Sequence, residues 1–246
     1  QMNRRWVVKA GSNLIVSGGP LLLRAWMQQV DILRRIHGIE VIWVTSGAIA
    51  SAKERLGRSA IGKRIAKSRR HDLAEKQALS AIGQPVIMNL YNRALQSVSL
   101  TGAQILLTYD DLVSRARRTN FVNTLEKLLA LGVVPILNEN DAVATEEIRF
   151  GDNDTLSARV AAAAGADRLV ILTDVEGMFD ADPAKNKSAK LIACVERITP
   201  TVLARAGSPE LRAIVVGFLA LGPRSRRSPP RFSSQRTNVP PGPSAT

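Results

Sequence analysis

The stretch Val41 to Gly57, VIWVTSGAIASAKERLG, decides how the rest of the chain is read. Its first five residues form a continuous, largely β-branched run, the signature of a strand buried on both faces. Ser46-Gly47 breaks that run, and Ala48 to Leu56 then reads as a helix that Gly57 stops. The same order of strand, glycine turn and helix stands just upstream. Trp6 to Ala10 reads as a short buried strand, and Gly11, Ser12, Gly18, Gly19 and Pro20 mark a loop. Leu23, Trp26 or Met27, Val30, Leu33 and Ile36 then recur at helical spacing until Gly38. His37 beside that stop is a helix C-terminal residue favoured by the dipole, not a ligand.

Working outward, Ala103 to Thr108, Val133 to Leu137 and Arg168 to Thr173 read as further strands, with helices over Asn120 to Leu131 and Ala158 to Ala164. Strands alternating with helices predict an α/β fold, a mostly parallel open sheet with helices on both faces. No internal repeat is evident.

The chain has 246 residues and a formal net charge of +13, which invites a nucleic-acid reading. The excess is local. Lys53 to Arg70 carries +7, Pro223 to Thr246 carries +5, and everything else sums to +1. Neither basic segment offers an aromatic platform for stacking bases, so no nucleic-acid partner is expected. The tail Pro223 to Thr246 holds half of the twelve prolines and no acidic residue, a composition that cannot supply a packed element.

Cys194 stands alone, and with two histidines beside it the chain has no metal-ligand spacing to discuss. A reducing, cytoplasmic setting is the expectation. The longest uncharged apolar runs, Leu128 to Leu137 and Ala213 to Gly222, are ten residues each. That is half of the ~20 needed to cross a bilayer, and no signal-peptide pattern precedes Trp6, so no membrane association is expected.

Several groups could carry chemistry. Lys9-Ala10-Gly11-Ser12 ends the first strand, where an open sheet faces its ligand crevice. A lysine beside a glycine turn and a hydroxyl can bind phosphate, although the spacing fits neither a P-loop nor a dinucleotide fingerprint. Ser46-Gly47 repeats that geometry on the second strand, where Ser46 by itself reads as a plain helix N-cap. Two strand-to-helix turns of this kind suit two anionic ligands. Asn138-Glu139-Asn140-Asp141 and Gly151-Asp152-Asn153-Asp154-Thr155 form the densest polar clusters. Turns and caps account for such residues, and so does a site that holds an amino-acid ammonium group and orients a lysine. Thr173-Asp174 closes the last strand at an edge where nucleotides commonly bind.

Taken in order, VVKAGS (Val7 to Ser12), VTSGAIA (Val44 to Ala50), AIGQ (Ala81 to Gln84), GVVPILNENDAVATEEIRFGDNDTLSA (Gly132 to Ala158) and LVILTDVEGMFDADP (Leu169 to Pro183) resemble the glutamate 5-kinases of the amino-acid kinase family. The resemblance implies ATP-dependent phosphorylation of the L-glutamate γ-carboxylate, the first step of proline synthesis, with Mg²⁺ on the nucleotide. It also implies a homo-oligomer and proline as a feedback inhibitor. By motif, Lys9 would contact the transferred phosphoryl group, with Gly11 and Ser12 as its backbone cradle. Ser46, Gly47, Asn138, Asp141 and Asn153 would bind glutamate, Asp154 would orient the lysine, and Thr173 and Asp174 would border ATP. A carboxylate is already ionised near pH 7, so this chemistry needs positioning and charge neutralisation rather than a general base.

The sequence also departs from the family pattern. Asn13 replaces a small hydroxyl residue, Ala52 stands where a glycine usually follows SGAIA, and Phe121-Val122 interrupts an Asn-Ala-Arg. The larger departure follows Gly207. A glycine-rich element carrying a second phosphate-binding lysine is usual there, and Pro223-Arg-Ser-Arg-Arg stands in its place. The expectation is an amino-acid kinase domain over 1–222, incomplete at its C-terminal part, and a disordered tail over 223–246 produced by a frame shift near Gly222. Impaired activity follows from that expectation, with a non-catalytic glutamate-binding protein as the alternative.

Overall fold

A computed structural model of the chain describes residues 4–57, 59–67, 72–144, 153–173, 179–180, 186–192, 194–195 and 232–233. Five strands, β1 (Arg4–Ala10), β2 (Ile39–Val44), β3 (Gly102–Leu107), β4 (Val134–Glu139) and β5 (Arg168–Leu172), form one parallel sheet in the order β3-β4-β2-β1-β5. Cys194–Val195 (β6) and Phe232–Ser233 (β7) make a two-residue antiparallel pair. That pair includes two residues of the expected tail; the rest of 223–246 lies outside the described residues.

The helices are α1 (Ser12–Arg35), α2 (Ala48–Leu56), α3 (Ala60–Lys67), α4 (Leu73–Gln96), α5 (Tyr109–Val113), α6 (Arg115–Ala130) and α7 (Asn153–Ala163). Alternation along each strand sends successive side chains to opposite faces. Val8, Val41, Trp43, Val134 and Ile136 pack with Leu23, Met27 and Val30 of α1 and with Ile87, Tyr91 and Leu95 of α4. Val7, Ile42, Val44 and Leu137 pack on the other face with Leu112 of α5, Phe121 and Leu125 of α6, and Leu156 and Val160 of α7. The sheet is thus covered on both faces, as the alternation of elements predicts.

The element boundaries bring several corrections. Gly18-Gly19-Pro20 does not lie in a loop that begins at Gly11. The chain turns helical at Ser12 and breaks only at Gly19 (φ 56, ψ −158), after which Pro20 restarts the helix. Ile15, 1% exposed, anchors that first segment in the core, and proline suits a first helical position because its missing N–H would be unpaired there anyway. Strand β4 does not stop at Leu137. It continues through Asn138 and Glu139, which pair with Leu106 and Leu107 of β3. Helix α7 spans Asn153–Ala163, and β5 ends at Leu172, with Thr173 just beyond the strand. Helix α4 has no counterpart in the sequence reading.

Candidate active site

In a parallel sheet all strands end at one edge, and there the polar motifs collect. Strand β1 lies between β2 and β5, with Lys9 opposite Val44 on one side and Ile171 on the other. The chain leaves β1 through α1 toward β2 and returns to its other side as β5. The C-terminal end of β1 is therefore the point where connections diverge, the usual place for a ligand in such sheets.

Two hydrogen bonds and one close approach hold the turns there together. The Ser46 hydroxyl donates to the Ala10 carbonyl at 2.9 Å, tying the turn after β2 to the end of β1. Ser46 is therefore not the N-cap of α2; that position falls to Gly47, which caps with no side chain. Gly47 has φ 88, a conformation that favours glycine, and a Cβ on it would stand 3.2 Å from the Ser12 Cβ, a tight contact. The Gly11 N–H donates to the Leu172 carbonyl at 3.2 Å, joining the first turn to β5. That N–H is thus committed to the sheet, and what Gly11 leaves open is room: a Cβ there would lie 3.9 Å from the Lys9 Nζ.

Asn153 and Asp154 arrive in the first turn of α7. Asp154 forms an ion pair with Lys9. The Asn153 amide donates to the Thr45 carbonyl and to Asn138 Oδ1, each at 2.8 Å. Asn138 Oδ1 also accepts the Glu139 N–H at 2.9 Å. A carbonyl can only accept and a backbone N–H can only donate, so these bonds fix which way both amides face. The fixed orientation leaves two buried atoms without partners, the Asn138 Nδ2 donor and the Asn153 Oδ1 acceptor. Buried polar atoms are rarely left so, and a donor beside an acceptor suits a ligand that carries both an anionic and an ammonium group.

These residues border a cleft of ≈ 340 Å³ whose lining includes Ser12, Gly47, Lys53, Asn138, Asp141 and Asn153. The opening turn of α2, Ala48 to Ala50, also faces it. The first N–H groups of a helix have no partner within it, and the dipole is positive at that end, so this side favours an anion. Asp141 supplies the opposite charge and accepts from the Ser80 hydroxyl of α4 at 3.3 Å. Among the described residues, no group of three or more His, Cys, Asp or Glu side chains is placed to hold a metal ion.

Of the residues singled out by sequence, Ser12, Gly47, Asn138, Asp141 and Asn153 line the cleft directly. Lys9, Gly11, Ser46 and Asp154 stand immediately behind or beside them through the contacts above. Thr173 follows Leu172, the partner of Ala10, and so lies across from the first turn without lining the cleft. Asp174 lies outside the described residues.

The sequence reading did not single out Lys53 or Ser80, and gave AIGQ no role beyond its resemblance. Gly83 of that motif packs against the start of α2, where a Cβ would overlap the Ala48 carbonyl oxygen. Gln84, 7% exposed, accepts from the Gln104 amide at 2.9 Å and reaches the Glu139 carbonyl at the end of β4. AIGQ is thus a brace that seats α4 against α2 and β4. Behind it, Trp43 Nε1 donates to the Tyr91 hydroxyl at 2.9 Å, and that hydroxyl donates to Thr45 Oγ1 at 3.0 Å. Burial pushes the Tyr91 phenol up to about 12, outweighing its hydrogen bonds with Thr45 and Trp43.

Among the described residues no helix is long and apolar enough to cross a membrane. The profile described as "Amino acid kinase family" matches residues 4–211. A glutamate 5-kinase of Gluconobacter oxydans (strain 621H) is 48% identical over 210 residues, which cover 84% of this chain and 53% of that protein. A glutamate 5-kinase of Alcanivorax borkumensis is 46% identical over 208 residues, covering 83% and 53%. The chain spans about half the length of these curated relatives. The crystal structure of aspartate kinase from Synechocystis superposes with a TM-score of 0.51 at 21% identity, covering 77% of this chain and 32% of that one, and so shares the fold. With the profile running through nearly all of the sheet and the cleft, the chain belongs to the amino acid kinase family.

Proposed function

We propose that this chain binds L-glutamate in the cleft and phosphorylates its γ-carboxylate with ATP. The observation that carries this reading is the pair of unpartnered amide atoms, Asn138 Nδ2 and Asn153 Oδ1, beside Asp141 and the N-terminal turn of α2. Glutamate suits all four at once: its ammonium donates to Asn153 Oδ1 and Asp141, and its γ-carboxylate accepts from Asn138 Nδ2 and the helix. The relatives named as glutamate 5-kinases support the choice of glutamate.

Lys9 supplies the positive charge for the transferred phosphoryl group, in the space that Gly11 leaves open beside its Nζ. Asp154 holds that ammonium in place by its ion pair. Ser12 opens α1, whose positive end faces the same region. A glutamate γ-carboxylate oxygen attacks the terminal phosphorus of ATP, ADP departs, and no proton need be removed from the nucleophile. The residues fit a nucleotide anion on the β5 side of Lys9, where Thr173 and Asp174 are proposed to border it. Mg²⁺ on the nucleotide would neutralise further phosphate charge. The lone Cys194 agrees with a reducing, cytoplasmic setting. The amino-acid kinase domain is proposed to run from 1 to 222, with 223–246 outside it.

The test is to incubate the chain with glutamate, Mg-ATP and hydroxylamine, which traps an acyl phosphate as the hydroxamate, and to titrate glutamate by calorimetry. Saturable glutamate binding with ATP-dependent hydroxamate is the expected result. Absence of glutamate binding overturns the reading.

A further inference from the structure

We infer that Lys53 is the residue that selects for the α-carboxylate of the substrate, a specificity determinant at the end of the cleft remote from Lys9. The inference rests on the reading of the cleft as a glutamate site and adds to it which group of the substrate each end recognises.

Lys53 lies on α2 and lines the cleft together with Asn138, Asp141 and Asn153. Its helical neighbours one turn away, Ile49, Ala50, Leu56 and Gly57, are uncharged, and the adjacent Glu54 projects in another direction. Among the described residues no carboxylate pairs with it. An ammonium that faces a cleft and has no ion-pair partner is free to engage an anion there.

The position along α2 decides which anion. The helix begins at Ala48, against Ser12 through Gly47, and Ser12 is three residues from Lys9. Lys53 stands five residues further on, ~8 Å along the axis at 1.5 Å per residue. A substrate whose γ-carboxylate faces Lys9 and the start of α2 therefore extends its amino-acid end toward Lys53. Between the two ends the ammonium meets Asp141 and Asn153 Oδ1, which line the same cleft, and this leaves the α-carboxylate for Lys53. The cleft then offers a positive group to each carboxylate and a negative group to the ammonium. A ligand without the α-carboxylate charge loses one of these matches.

The experiment is calorimetric titration of the whole chain, native and Lys53→Met, with L-glutamate and with its α-amide, L-isoglutamine, which keeps the γ-carboxylate. A charge-assisted hydrogen bond is worth about 1.5–3 kcal/mol, so Lys53→Met should weaken glutamate ~10–100-fold. Isoglutamine affinity should change less than about threefold. Lys53→Arg, which keeps the charge, should restore most of the glutamate affinity. Urea midpoints of the variants show whether the fold is kept, and Lys53→Gln replaces Lys53→Met if the latter unfolds. Unchanged glutamate affinity, or an equal loss for both ligands, overturns the assignment of Lys53 alone. Failure of the native chain to bind glutamate overturns the parent reading and this inference with it.

Discussion

Lys9, at the end of the first strand, and Asp154, in the first turn of α7, form an ion pair whose side chains are 12% and 18% exposed. The pair joins the earliest strand of the sheet to the helix that precedes its last strand. Asp154→Asn keeps the shape and removes the charge, which leaves the Lys9 ammonium without its counter-ion in a largely enclosed place. The expected result is a fall in hydroxamate formation of ~10²–10³, in the range found when one group stabilising transition-state charge is lost. Glutamate affinity, measured by calorimetry, should change far less, because Asp154 acts on the phosphoryl end.

Gly47→Ala places a methyl group 3.2 Å from the Ser12 Cβ on a backbone with φ 88. The left-handed conformation costs about 1–3 kcal/mol for a residue with a side chain, and the contact adds to it. The urea midpoint should fall accordingly. Glutamate affinity should fall with it, since the start of α2 must shift away from Ser12.

Tyr91→Phe removes the hydroxyl that accepts from Trp43 and donates to Thr45. A buried indole N–H is left unpaired, at a cost of about 1–3 kcal/mol in denaturant unfolding. The same phenol predicts an alkaline limb. Its pKa in the fold is about 12 against an ordinary 10, so the unfolded chain ionises first. Its contribution is complete below pH 10 and is lost as pH rises toward 12, amounting to roughly 3 kcal/mol. Stability profiles of the native chain and of Tyr91→Phe should therefore converge between those pH values.

Gly83→Ala drives a methyl group into the Ala48 carbonyl oxygen, backbone against backbone, where no side chain can yield. Helix α4 must move off α2, and overpacking of this kind costs about 1–3 kcal/mol or more. Both the urea midpoint and glutamate affinity should drop, because Ala48 opens the helix that lines the cleft.

The strands were legible because Val41 to Thr45 and Trp6 to Ala10 are continuous apolar runs, which is what burial on both faces of a parallel sheet requires. The end of β4 was not, because Asn138 and Glu139 look like turn residues. They are held in the strand by pairing with β3 and are buried at 2% and 6% exposure, which no local pattern announces. Helix α4 escaped notice for a related reason. Gly83 and Pro85 within it read as breakers, yet Gly83 is there so that two helix backbones can meet. Of the candidate site, Lys9, Asn138 and Asp141 were legible as polar residues where a strand runs out, and Asn153 and Asp154 as members of a second dense polar cluster. Lys53 was hidden by its neighbours, since it opens a basic run that reads as a single charged segment. Only the turn of α2 sets it apart by bringing it to the cleft.

The placement of β1 between β2 and β5 also orders events in time. As the chain leaves the ribosome, β1 can pair with β2 almost at once, but its other edge stays open until residues 168–172 have been made. The Asp167 carboxylate accepts the Arg5 N–H across 162 positions of sequence, so closing that edge is among the most non-local steps in the molecule. Asn153 and Asp154, which complete the cleft, emerge only shortly before. A growing chain thus carries an unpaired central strand edge until β5 has emerged, an interval of exposure to wrong pairing. Ligand capture becomes possible only when that interval is about to end.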